Sequence, residues 1–116
     1  MATTPEGKVK EQIKAVLKKN NAWYFMPVQN GMGRSGIPDF IVCYHGRMIG
    51  VEAKAPSGTP TYNQLTVGEE IKEHGGEYII ARSGAEVQQY FDSRGDHLKE
   101  AVFDAVHREQ AERSKQ

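Results

Sequence analysis

Val9, Ile13, Val16 and Leu17 recur at helical spacing and predict a helix over residues 4–20. Thr4 stands where an N-cap belongs, and Pro5 takes the first helical position, where its missing N–H does no harm. Residues 22–28, AWYFMPV, change the pattern to an aromatic-rich strand. Trp23, Tyr24 and Phe25 could stack on bases, but a place in the core is the expectation, and Pro27 marks an edge position or a bulge. A Gly-rich stretch, QNGMGRSGIP, follows. Residues 39–44 and 48–54 then predict two strands joined at His45-Gly46-Arg47, a β-hairpin. Thr59-Pro60 opens a helix that runs to about His74 and stops at Gly75-Gly76. Residues 77–82, EYIIAR, predict a strand, and Ser83 with Glu86 makes a capping box for a helix to about Phe91. A last helix is expected from about Asp96, with Leu98, Val102, Ala105 and Val106 on one side.

The order is α-β-β-β-α-β-α-α. A strand-helix-strand step over residues 48–82 should be a right-handed crossover between parallel strands, whereas the hairpin before it is antiparallel. The expectation is an α/β domain: a mixed four-stranded sheet flanked by helices, with a C-terminal helical extension. Residues 1–93 would form the domain and 94–116 the extension.

Composition narrows the class. The chain has 116 residues, with 38% hydrophobic and 26% charged, which suits one globular domain. No apolar run approaches the roughly 20 residues that span a bilayer. The first residues lack a signal-peptide core, and the one cysteine, Cys43, has no internal partner. A cytoplasmic protein is the expectation, in the host cell if the source is viral. Fifteen basic and fifteen acidic residues cancel, which argues against bulk electrostatic binding of nucleic acid. Lys8, Lys10, Lys14, Lys18 and Lys19 still crowd the first helix. They fit a solvated face or a phosphate-contacting one equally well.

The hairpin poses a question. Asp39 opens its first strand, and Glu52 and Lys54 close its second. Charges there are costly unless they are paired or bind something. With the turn near Gly46, Asp39 and Glu52 should be cross-strand neighbours, and Glu52 and Lys54 share a face. Two adjacent carboxylates resist joint ionisation, and a divalent cation removes that conflict. Oxygen-only ligands suit Mg²⁺ or Mn²⁺, which activates water and neutralises phosphate oxygens. Lys54 beside it would orient the nucleophile or stabilise developing charge. The blander alternative is an aspartate after a turn proline and an exposed cross-strand ion pair.

Pro38-Asp39 followed by Glu52-Ala53-Lys54 resembles the signature of PD-(D/E)XK nucleases. GMGRSGIPDFIV, the short single domain and Gln64 in the next helix look more specifically like the virus-type replication-repair nuclease (VRR-NUC) branch, in a stand-alone phage- or prophage-like form. The resemblance covers about residues 4–90. It implies the α-β-β-β-α-β nuclease core, hydrolysis of DNA, and metal ligation by Asp39 and Glu52. It places Gln64 beside the attacking water or the scissile phosphate, and it implies an acidic residue on the first helix. Glu6 lies on the apolar side of that helix and Glu11 roughly opposite, so Glu6 is the choice. In the blander alternatives Glu6 complements the helix dipole and Gln64 is solvated.

Gly31 to Gly36 matches G-x-G-x-x-G but leads into a strand, so it is no dinucleotide loop. It is either a plain surface loop or one that brings Arg34 near a phosphate chain. Arg34, Lys8 and Lys54 are thus the candidate nucleic-acid contacts. His45, His74, His97 and His107 lack zinc-ligand spacing, and Cys43 is expected to be a buried structural thiol. The expected function is a metal-dependent, structure-selective endonuclease. Its substrate by resemblance is branched DNA such as a Holliday junction, cut by a homodimer. The alternatives are an inactive nucleic-acid-binding module and a sequence-reading restriction-type nuclease. The stripe from Leu98 to Val106 would either pair two copies or cover its own sheet.

Overall fold

The computed structural model describes residues 3–29 and 33–93. The expected helix from Asp96, and with it the extension over residues 94–116, lies outside the described residues. The elements run α1 (Pro5–Lys19), β1 (Trp23–Phe25), β2 (Phe40–Tyr44), β3 (Arg47–Ala53), α2 (Tyr62–Glu73), β4 (Glu77–Ala81), and a third helix, α3, over residues 84–93. The sheet order is β1-β2-β3-β4. β1, β2 and β3 are antiparallel neighbours, and β4 lies parallel to β3. This is the mixed four-stranded sheet that the chain pattern predicts.

Local chemistry accounts for the boundaries. The Thr4 hydroxyl accepts the Gly7 N–H at 3.0 Å and opens α1, with Pro5 at its start. The hairpin pairs Tyr44 with Arg47, so Arg47 belongs to the strand and only His45 and Gly46 turn the chain. Both have positive φ, 49° and 77°, as a two-residue turn of matching twist requires. Helix α2 starts later than Thr59-Pro60 suggests. Thr61 is its cap, because Gln64 three residues on completes a capping box that Thr59 could not form. At α3, Ser83 accepts from the Glu86 N–H as expected, but the Glu86 carboxylate reaches past Ser83 to the Arg82 N–H.

Alternation along the strands divides the sheet into two faces. Phe40, Val42, Ile49, Val51, Ala53 and Ala81 face the core formed with Val9, Ile13 and Leu17 of α1 and Val87 and Phe91 of α3. Burying eleven such side chains is the main stabilising contribution. The opposite face carries Gly50 and Tyr78, onto which α2 fits closely. A Cβ on Gly68 would meet the Tyr78 ring at 2.5 Å, and one on Gly50 would meet Pro38 at 2.8 Å.

Two expectations fail on that second face. Trp23 and Phe25 are 61% and 48% exposed rather than in the core; only Tyr24 turns inward. Cys43 is exposed rather than buried. The reason is shared. Trp23 pairs with Cys43 and Phe25 with Ile41, so these side chains point to the side where α2 covers β3 and β4 but leaves edge strand β1 open. Among the described residues, no helix is long and apolar enough to cross a membrane.

Candidate active site

Asp39 sits one step before the Phe40–Val51 pair, which sets it opposite Glu52 across the ladder. The Ala53 N–H donates to Asp39 Oδ2 at 2.9 Å and locks the two strands together there. Both carboxylates are buried: Asp39 is 8% exposed and Glu52 2%. Sheet alternation points them to the α2 side, away from the apolar core. Gln64, in the first turn of α2, donates from Nε2 to Glu52 Oε1 at 3.1 Å. Glu52 Oε2 is buried and has no hydrogen-bond partner.

Lysines and a third acid complete the cleft. Lys54 follows β3, anchored by its N–H to the Ala81 carbonyl at 2.9 Å. Its ammonium lies 3.9 Å from Glu6 Oε1, with only 12% of the side chain exposed. Lys10, one turn after Glu6 on α1, lies 3.7 Å from Glu6 Oε2 and 3.5 Å from Asp39 Oδ1. An alternating chain of charges results, Asp39–Lys10–Glu6–Lys54. It borders a cleft of about 350 Å³ that Glu6, Lys10, Gln29, Asp39, Glu52, Thr61 and Gln64 line. A Cβ on Gly36, whose φ is +86°, would strike the Asn63 carbonyl at 2.5 Å, so the Gly-rich loop closes tightly onto the start of α2 beside this cleft.

The electrostatics are unfavourable for two bare carboxylates. Burial first, then the adjacent Asp39, push the Glu52 carboxyl up to about 9, against the opposing pull of Lys54. Burial and the same two acids also push the Tyr78 hydroxyl up to about 12. Burial and the neighbouring acid thus favour the protonated form of Glu52, and a cation would relieve the same conflict. A hard divalent ion fits this donor set: two carboxylates on adjacent strands, one with a buried and unpartnered oxygen. Among the described residues no three Asp, Glu, His or Cys side chains group as ligands for one ion. Any such ion would draw its other ligands from water, backbone or substrate.

Asp39, Glu52, Lys54, Gln64 and Glu6 thus converge. Glu11 faces away and pairs with Lys14 at 3.0 Å. Arg34 does not reach the cleft. Its guanidinium holds both Glu70 oxygens, at 2.6 and 2.5 Å, at the rim of a separate apolar groove of about 400 Å³ lined by Ile37, Ile41, Met48 and Ile71. This pairing lowers the Glu70 carboxyl and raises the guanidinium. Lys8 is exposed on α1. Lys10 is the residue that sequence reasoning missed as a site residue. Its signal was present: Glu6 and Lys10 stand four apart and must share a helix face.

No family model matches the chain, and no curated protein matches it. Among solved structures, one described as a VRR_NUC domain superimposes with a TM-score of 0.66 at 26% sequence identity. The match covers 78% of this chain and 97% of that one. With the mixed sheet, the flanking helices and this superposition together, the chain has the fold of a VRR-NUC nuclease domain.

Proposed function

We propose that this chain is a divalent-metal-dependent DNA endonuclease. The observation that carries the reading is the buried Asp39–Glu52 pair, with Glu52 Oε2 unpartnered, at a cleft flanked by Lys54 and Lys10. Asp39 and Glu52 would hold Mg²⁺ or Mn²⁺, with Glu6 contributing through water. Bound there, such a cation supplies Lewis-acid activation of water and neutralises phosphate charge. Gln64 fixes the Glu52 carboxylate. Lys54 stabilises the charge that grows on the phosphate in the transition state.

Branched DNA, including the four-way junction, is the proposed substrate class, and a homodimer the proposed active form. A small, electrically neutral domain contacts few phosphates, and two-fold pairing doubles the footprint. Residues 1–93 would be the nuclease domain. The stripe of Leu98, Val102, Ala105 and Val106 in residues 94–116 is the proposed aid to pairing. The protein would act inside the cell, where its substrate lies.

A cleavage assay in Mg²⁺ and in Mn²⁺ on duplex, flap and four-way-junction DNA tests the reading. Cleavage that EDTA abolishes supports it. Binding without cleavage in either metal would leave an inactive nucleic-acid-binding module instead. A clean monomer in sedimentation at micromolar concentration, with and without DNA, would sink the dimer.

A further inference from the structure

Lys10 stands in an unusual position. Asp39 has both oxygens engaged without any metal: Oδ2 accepts the Ala53 N–H, and Oδ1 faces the Lys10 ammonium at 3.5 Å. Oδ1 accepts no backbone N–H, so a cation that takes it meets Lys10. The lysine side chain is about one-third exposed and lines the cleft, so it can leave Asp39 without unfolding anything. Its other partner, Glu6 at 3.7 Å, is itself shared with Lys54.

Charge accounting gives the same direction. Glu6, Asp39 and Glu52 with Lys10 and Lys54 leave the cleft formally at minus one when all are ionised. One divalent cation turns this to plus one, and a single phosphodiester cancels it. A second divalent cation would leave a large positive excess beside two ammoniums. An ammonium displaced from Asp39 by a dication is repelled by it, and on the nuclease reading the anion that enters the cleft next is a DNA phosphate.

We infer that Lys10 is the built-in counter-ion of Asp39, that one divalent cation displaces it, and that it then pairs with a backbone phosphate of the DNA. This couples metal binding to DNA binding through one side chain. The inference rests on the nuclease reading above and adds to it a DNA-binding residue that is silent until the metal arrives.

The test uses the full chain and three variants. Lys10→Gln removes the charge, Lys10→Arg keeps it, and Lys14→Gln makes the same change in net charge at a lysine paired with Glu11 outside the cleft. Mn²⁺ titration without DNA should show one site, with Lys10→Gln binding about fivefold tighter and the other two near wild type. Binding of labelled four-way-junction DNA is then followed across a salt series, with and without Ca²⁺, with the DNA checked for integrity. In Ca²⁺, Lys10→Gln should lower the slope of log affinity against log salt by about 0.9, one phosphate contact. Without a divalent ion its slope should match wild type, because Lys10 then stays on Asp39. Lys10→Arg should restore both behaviours. Unchanged or weaker Mn²⁺ affinity in Lys10→Gln overturns the inference, as does a slope change that is the same with and without Ca²⁺. A wild-type protein that binds neither Mn²⁺ nor DNA overturns the nuclease reading as well. A wild type that binds both, beside an indistinguishable Lys10→Gln, overturns the inference alone.

Discussion

Gln64 Nε2 donates to Glu52 Oε1 at 3.1 Å while Oε1 of the same amide accepts the Thr61 N–H at 2.9 Å. One side chain thus caps α2 and orients a buried carboxylate on β3. The amide offers a donor to one partner and an acceptor to the other, and both are used. The start of α2 and the candidate active site are therefore set by a single rotamer.

Gln64→Ala should lose the reciprocal bond to the Thr61 N–H, while the Thr61 hydroxyl still caps the helix, and leave Glu52 with less support. One such hydrogen bond is worth about 0.5–1.5 kcal/mol, so a measurable drop in melting temperature is expected along with weaker cleavage. Gln64→Glu separates the two roles. A glutamate still caps Thr61 but turns a second acceptor toward Glu52, so stability should hold better at low pH than at neutral pH. Thermal melts at pH 5 and pH 7.5 check this; equal losses at both would break the link to Glu52.

Asp39→Asn should abolish metal-dependent cleavage and keep the fold. An asparagine can still accept the Ala53 N–H through its carbonyl oxygen, and it relieves the repulsion on Glu52. Circular dichroism should show a metal-free melting temperature equal to wild type or higher. Cleavage at the wild-type rate would place the active site elsewhere.

Lys54→Ala should cut the cleavage rate by about 10²–10³, the usual scale of one preorganised electrostatic contact. Mn²⁺ affinity should stay equal or rise, since a positive neighbour is gone. Calorimetry that shows lost metal binding instead would assign Lys54 a structural role.

Stability without metal should depend on pH through Glu52. Its folded value, about 9, lies above the unfolded carboxyl range near 4.5. Between these the folded state holds the extra proton, so stability falls as pH rises through that window. Melting temperature in EDTA should therefore decline from about pH 5 to pH 9. Glu52→Gln should flatten the decline, and saturating Mn²⁺ should oppose it in the wild type. An identical slope in Glu52→Gln would show that another group sets it.

Trp23, the one tryptophan of the chain, should emit as a solvent-exposed indole and be quenched readily by iodide. Trp23→Ser should change stability by no more than about 0.5 kcal/mol, as surface substitutions do. A blue-shifted, unquenched emission in dilute solution would show that another surface covers this face.

Much of this architecture was legible along the chain because it is governed by local rules. Thr4 and Pro5 mark the start of α1 by capping chemistry alone. Val9, Ile13 and Leu17 mark its buried face by period. The hairpin register follows from the position of Gly46, and that register alone brings Asp39 to Glu52. Tertiary structure decided the rest. Whether Trp23 and Cys43 are buried depends on which strands α2 covers, and an apolar strand reads the same with or without a lid. Arg34 is bound to Glu70, thirty-six residues away, a pairing that no local pattern announces. Lys10 meets Asp39 only because α1 lies beside the open end of the hairpin. Backbone sterics and side-chain period act over a few residues, so they fix the elements and which residues share a face. The packing of α1 and α2 on the sheet decided which charges meet, because long-range contacts are fixed by how whole faces fit together.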